Sequence, residues 1–132
     1  MTPEILLDTH VMVSWLYEPD KLSRDQRRAL DEAVRRGENV GMCAFSLLEI
    51  VLLTEGRRLR VKLEDIFREL DTNPSIRILP LTTDVLPEVA ALGVALRDPA
   101  DRVIVATARV HRLRLVTSDQ RIIASRLVSV IE

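Results

Sequence analysis

Asp8, Glu49, Asp101 and Asp119 are the residues of this chain best suited to chemistry. They lie far apart in sequence, yet each follows a similar local pattern. Asp8 ends the apolar run Glu4-Ile5-Leu6-Leu7-Asp8, and Asp119 comes just after Leu113-Arg114-Leu115-Val116-Thr117. Asp101 stands in the opening turn of an apolar helix, and Glu49 one or two turns into another. Gathered carboxylates repel and raise one another's pKa, so nothing structural favours collecting them. A divalent cation reverses the sign of that energy. Magnesium takes hard oxygen ligands and keeps several waters, and such a site can lower the pKa of a bound water and polarise a phosphoryl oxygen. Hydrolysis of a phosphodiester by metal-activated water fits this inventory. No Ser-His-Asp or Cys-His set presents itself, and the four glycines form no phosphate loop.

Each acid also has a plainer reading. Asp98-Pro99-Ala100-Asp101 is a good helix start, with Asp98 as N-cap, Pro99 at the first helical position, and an acid three residues on, as in a capping box. Both charges favour the helix dipole. Glu49 has Phe45, Ser46, Leu52 and Leu53 on its own helical face. A carboxylate there must be paired, protonated or metal-bound, and a buried ion pair with one of the many arginines is the structural alternative.

The elements that must position these acids alternate along the chain. Short strands are expected at 4–8, 39–42, 76–80, 113–117 and 128–131. Between them the pattern predicts helices at Val11–Tyr17, from the Ser23 cap to Arg36, at 45–56, at 62–70 with Ile66, Phe67 and Leu70 inward, from Thr82 or Thr83 to Leu92, from Asp98 to His111-Arg112, and from Asp119 to Arg126. Strands alternating with helices specify an α/β sandwich with a central, mainly parallel sheet. In such folds ligands collect outside the carboxyl ends of the strands. All four acids belong to that edge.

Composition narrows the class. At 132 residues, 47% hydrophobic and 30% charged, the chain reads as a single soluble domain over 1–132. No basic segment precedes an apolar core at the N-terminus, so no signal peptide is expected, and no apolar run approaches the length of a membrane span. Cys43 is the one cysteine, which excludes a disulfide scaffold and fits a reducing cytoplasm. His10 and His111 are too few and too far apart to suggest zinc. The net charge of −1 lacks the footprint of a nucleic-acid binder, but gathering acids at one site leaves the remaining surface net positive. Aromatics at 3% count against a stacking platform for single strands. Arg24, Arg27, Arg28, Arg35 and Arg36 crowd one helix, where a solvated face is the ordinary reading and a phosphate patch the sharper one.

Four stretches in order resemble the PIN-domain ribonucleases of the VapC toxin type. They are Leu6-Leu7-Asp8-Thr9-His10, Leu48-Glu49-Ile50 with Gly56-Arg57-Arg58-Leu59, Asp98-Pro99-Ala100-Asp101-Arg102 through Ala106-Thr107-Ala108, and Leu115-Val116-Thr117-Ser118-Asp119. Position 48, often Trp in that subgroup, is Leu here. The resemblance implies a three-layer α/β/α sandwich with a five-stranded parallel sheet, and Mg²⁺ or Mn²⁺ among Asp8, Glu49, Asp101 and Asp119. Asp98 would then stand at the edge as cap or outer partner, with Thr9 and Thr117 supporting by hydrogen bonds. It further implies RNA as substrate, a homodimer, and a cognate VapB-type antitoxin whose tail lies in a groove walled by the helices at Val11–Tyr17 and 45–53.

Other readings fit less well. A receiver domain wants an acidic pair after its first strand and a late Lys, but Asp8 is unaccompanied and neither Lys21 nor Lys62 is late. A haloacid-dehalogenase-like phosphatase wants an acid where His10 stands. A catalytically silent PIN-like module binding protein or RNA is the remaining alternative, and the intact set of four acids speaks against it.

Overall fold

The computed structural model describes residues 3–132. Strands β1 (Ile5–Leu7), β2 (Val40–Cys43), β3 (Ile76–Leu79), β4 (Arg114–Val116) and β5 (Val130–Ile131) form one parallel sheet in the order β3-β2-β1-β4-β5. Among the described residues, seven α-helices cover it: α1 (Thr9–Tyr17), α2 (Arg24–Arg35), α3 (Ala44–Glu55), α4 (Leu63–Thr72), α5 (Val85–Leu92), α6 (Pro99–His111) and α7 (Gln120–Ser125).

Each central strand is apolar on both faces, as a parallel sheet between helices requires. Ile5 and Leu7 of β1 pack with Met12, Leu30, Ile50 and Ile66 from the α1–α4 side. Leu6 points the other way, into a cluster with Val85, Ile104, Val105 and Ile122 of α5, α6 and α7. The expected three-layer sandwich is what forms. A Cβ at Gly41 would lie 3.2 Å from the Ile5 carbonyl oxygen and 3.2 Å from Pro3 Cγ, so β2 keeps a bare Cα where it meets β1.

Strand order decides where a site can lie. From β1 the chain builds outward through β2 to β3, then crosses back to lay β4 and β5 on the other flank. Order therefore reverses between β1 and β4, and the crevice beyond their carboxyl ends is the natural ligand position of such a sheet. The register Leu7↔Val116 sets Asp8 and Thr117 side by side at that point.

Local differences from the sequence reading have simple causes. Thr82 starts a turn rather than a helix, its carbonyl accepting from the Val85 N–H at 3.1 Å, so α5 begins only at Val85. Short 3-10 helices at Pro19–Lys21 and Gly93–Ala95 close the exits of α1 and α5. The pattern predicts Phe67 inward, but it is 45% exposed, because it sits about 100° round the helix from fully buried Ile66. Central α6 meets its expectation closely, with an unbroken buried run from Val103 to Ala108.

Cys43, the last residue of β2, tests this packing. Burial pushes its thiol up to about 11, against a smaller opposing effect of a hydrogen bond with Thr107. The native protein should resist iodoacetamide at pH 8 and be alkylated once unfolded in denaturant. Rapid alkylation of the native protein would show that the β2 end is open.

Candidate functional site

The site is assembled from chain reversals at the ends of β1 and β4 and from the start of α6. Asp8 follows β1 directly and occupies the N-cap of α1, although its side chain makes no capping bond. Its backbone N–H instead continues the sheet, donating to the Val116 carbonyl at 3.0 Å. That leaves the carboxylate, on a residue 6% exposed, aimed at the neighbouring loop. Thr117, fully buried, donates from Oγ1 to Asp8 Oδ2 at 2.7 Å and accepts the Asp119 backbone N–H at 3.0 Å. One hydroxyl thus ties two candidate acids across the switch point.

Asp101 enters from α6. Asp98 caps that helix, its Oδ2 accepting the Asp101 backbone N–H at 3.2 Å. The cap fixes the first turn and leaves the Asp101 carboxylate, on a residue 7% exposed, facing Asp8 and Asp119. Burial, then the charges of Asp98, Asp119 and Asp8, push its carboxyl up to about 7, with Arg121 opposing. Asp8 is also raised, chiefly by burial and slightly by Asp119, while Thr117, the nearby His10 and the Thr9 backbone N–H pull it down. Asp119 moves the other way because Arg121 grips it.

Arg121 is the residue that sequence reasoning misses. Its Nη2 lies 3.0 Å from Asp119 Oδ2 and 3.4 Å from Asp101 Oδ2, so a single guanidinium spans two acids from different elements. Its side chain is 72% exposed, which leaves it free to swing aside. Its grip on Asp119 spans only two residues, but its reach to Asp101 depends on where the fold places α7. Gln26 escapes notice for the same reason. Fully buried, it completes a capping box with Ser23 at the start of α2 and donates from Nε2 to Ser118 Oγ at 2.9 Å, beside Asp119.

One expectation needs correction. The sequence pattern makes Glu49 a lone carboxylate on an apolar, buried face, with an arginine partner as its structural alternative. It is instead half-buried, flanked by Leu48 and Leu52 at 49% and 58% exposure, and makes no hydrogen bond or ion pair among the described residues. The outer face of α3 is open, so its apolar residues do not imply burial. Helix α3 packs against α6 and α1, which puts Glu49 on an adjoining helix without joining it to the three aspartates. The resemblance also implies support from Thr9 by hydrogen bonds. That bond to Asp8 comes from the Thr9 backbone N–H, while Thr9 Oγ1 is buried with no partner.

The donor set suits a hard divalent cation. Three carboxylates from separate elements are crowded enough to raise two of their pKa values, and an exposed guanidinium already supplies positive charge between two of them. Among the described residues no three acidic, histidine or cysteine side chains are closed into a ready cation cage.

Residues 5–126 match the PIN domain family. The chain belongs to that family. This PIN domain is 35% identical over 127 residues to ribonuclease VapC22 of Mycobacterium tuberculosis (strain ATCC 25618 / H37Rv), covering 92% of each protein. Its fold matches the crystal structure of FitAcB from Neisseria gonorrhoeae with a TM-score of 0.70 and 26% identity, covering 97% of this chain and 96% of that one. It also matches VapBC2 from Rickettsia felis bound to a promoter DNA fragment, with a TM-score of 0.69 and 16% identity over 96% of each chain. The last likeness is one of fold alone.

The raised Asp101 carboxyl gives a signed prediction. A folded-state pKa of about 7, above the ordinary value of 3.8, means that its contribution to stability is full below about pH 4 and lost as pH rises through 7. In chelator at pH 8, Asp101→Asn should therefore raise the thermal midpoint, by roughly 4 °C for each kcal/mol of repulsion relieved. At pH 5, where the wild-type carboxyl is already protonated, the gain should shrink. A lower midpoint at pH 8 would mean that Arg121 outweighs the crowding.

Proposed function

We propose that this PIN domain is a Mg²⁺- or Mn²⁺-dependent endoribonuclease acting as the toxin of a type II toxin–antitoxin pair in the cytoplasm. The observation that carries the reading is the convergence of Asp8, Asp101 and Asp119 at the β1–β4 switch point. The 35% identical ribonuclease relative supports the same conclusion.

Asp8, Asp101 and Asp119 would hold the cation, with Glu49 closing the set from the α3 wall. When bound, the cation supplies a water of lowered pKa and neutralises charge on the phosphodiester. The protein's own residues do the positioning. Thr117 holds Asp8 Oδ2 and the Asp119 backbone together, so neither carboxylate has to be ordered during the reaction. Asp98 keeps the α6 start in place. Arg121, displaced from Asp101, remains within reach of a phosphate oxygen through its planar donor fork.

A VapB-type antitoxin would cover the groove beside the site. Tyr17 of α1 and Leu48 and Leu52 of α3 leave apolar surface exposed on the helices expected to wall it. A second copy of the chain would complete a homodimer.

Antitoxin-free protein should cleave a structured RNA in Mg²⁺ or Mn²⁺ and lose activity in EDTA. Asp8→Asn should reduce cleavage by roughly a hundredfold or more while keeping the native far-UV spectrum. Asp98→Ser should retain much of the activity, since Ser caps nearly as well as Asp. Glu49→Gln should weaken stabilisation by Mg²⁺ and sharply reduce cleavage. Undiminished cutting in EDTA would contradict the cation's role, and full activity in Asp8→Asn would contradict the site.

A further inference from the structure

The arginine-rich face of α2 has a geometry that a merely solvated helix does not require. Arg24, Arg27, Arg28, Asp31 and Arg35 fall at i, i+3, i+4, i+7 and i+11, a single stripe along the helix. From Arg24 to Arg35 it extends about 16 Å at the helical rise per residue. Arg24 and Arg28 make no hydrogen bond or ion pair among the described residues. Arg27 donates to the Pro19 carbonyl at 2.8 Å and only loosely meets exposed Asp20 at 3.6 Å. With Leu22, these residues line a shallow cleft of about 730 Å³ that Asp31 alone provides with negative charge.

The stripe is also fixed relative to the acidic centre. Gln26, on the opposite, buried face of α2, bonds Ser118 in the loop that carries Asp119. A second cleft, about 310 Å³, runs from Asp8 and Asp119 past His10 and Lys21 to Leu22. Leu22 is therefore the shared wall between the carboxylates and the arginines.

We propose that the α2 stripe is the track for the phosphodiester backbone of single-stranded RNA entering the acidic cleft. This rests on the ribonuclease reading above. The chain has 19 basic residues against 20 acidic ones, so no overall field draws RNA in. A cluster of carboxylates repels phosphates, and cations must stand beside it to hold a strand in place. Arginine suits this task, because its fork meets phosphate oxygens bidentately. An acidic protein segment is the competing occupant, and continuity with the carboxylate cleft favours RNA.

The test compares wild type with Arg24→Gln/Arg28→Gln and with a charge-matched control, Arg112→Gln/Arg126→Gln, at the C-terminal ends of α6 and α7. Each is assayed for cleavage of a short single-stranded RNA across a series of salt concentrations. The stripe variant should raise KM by roughly fivefold or more, with a much smaller change in kcat. The slope of log KM against log salt should become shallower by about 1.4, or about 0.7 for each phosphate that the variant no longer neutralises. The control should match wild type. Equal behaviour of the stripe and control variants, with wild type active, would overturn the track and leave the ribonuclease reading standing. Normal RNA kinetics combined with failure to bind a synthetic acidic peptide that wild type binds would assign the stripe to a protein partner and overturn the proposal. A wild-type protein that cleaves no RNA would overturn both readings.

Discussion

Repulsion among Asp8, Asp101 and Asp119, with Asp98 close by, is the constraint on which this structure turns. Burial adds to it, because it removes the water that would screen the charges. The surroundings of the cluster reduce the cost at every acid. Thr117 donates to one, Arg121 bridges two, and the first turn of α6 offers its backbone N–H to a fourth. Asp101 retains the least compensation, and its carboxyl is pushed furthest. A protein selected for stability alone would have replaced one of these acids with an amide. Their presence together makes sense if a divalent cation supplies the missing charge.

The sheet makes this crowding possible without loss of precision. Parallel strands end together, and the β1–β4 neighbourhood is where helices leave the sheet in opposite directions. Asp8 and Thr117 are therefore positioned by backbone register, not by side-chain preference. The central α6 adds the third acid on a rigid element packed on nearly all sides. Three independent anchors hold three carboxylates, so none depends on a long loop for its place.

Much of this is legible in the sequence, because the strongest signals are local. Asp98-Pro99 announces a helix start, the uncharged run after Arg102 announces burial, and apolar runs ending in Asp8 and before Asp119 announce strand ends. Strand alternation then fixes which edge they share. What stays hidden depends on long-range packing. Arg121 looks like any surface arginine until the fold brings it to Asp101, and Gln26 draws no notice until Ser118 meets it from 92 positions away. Glu49 is misjudged because apolar neighbours on one helix face do not say whether another element covers that face. The open face of α3, with Leu48 and Leu52 exposed, is the missing information.

The central claim is that the acidic cluster is a cation site whose charge is only partly neutralised in the bare protein. Calorimetric titration of chelator-treated protein with Mn²⁺, in buffers of different ionisation enthalpy, tests it directly. Metal binding releases protons from ligands that must ionise. At pH 6 Mn²⁺ should displace about one proton, chiefly from Asp101, and at pH 8.5 almost none, with binding abolished in Asp8→Asn. Absence of Mn²⁺ binding, or equal binding by wild type and Asp8→Asn, would contradict the account.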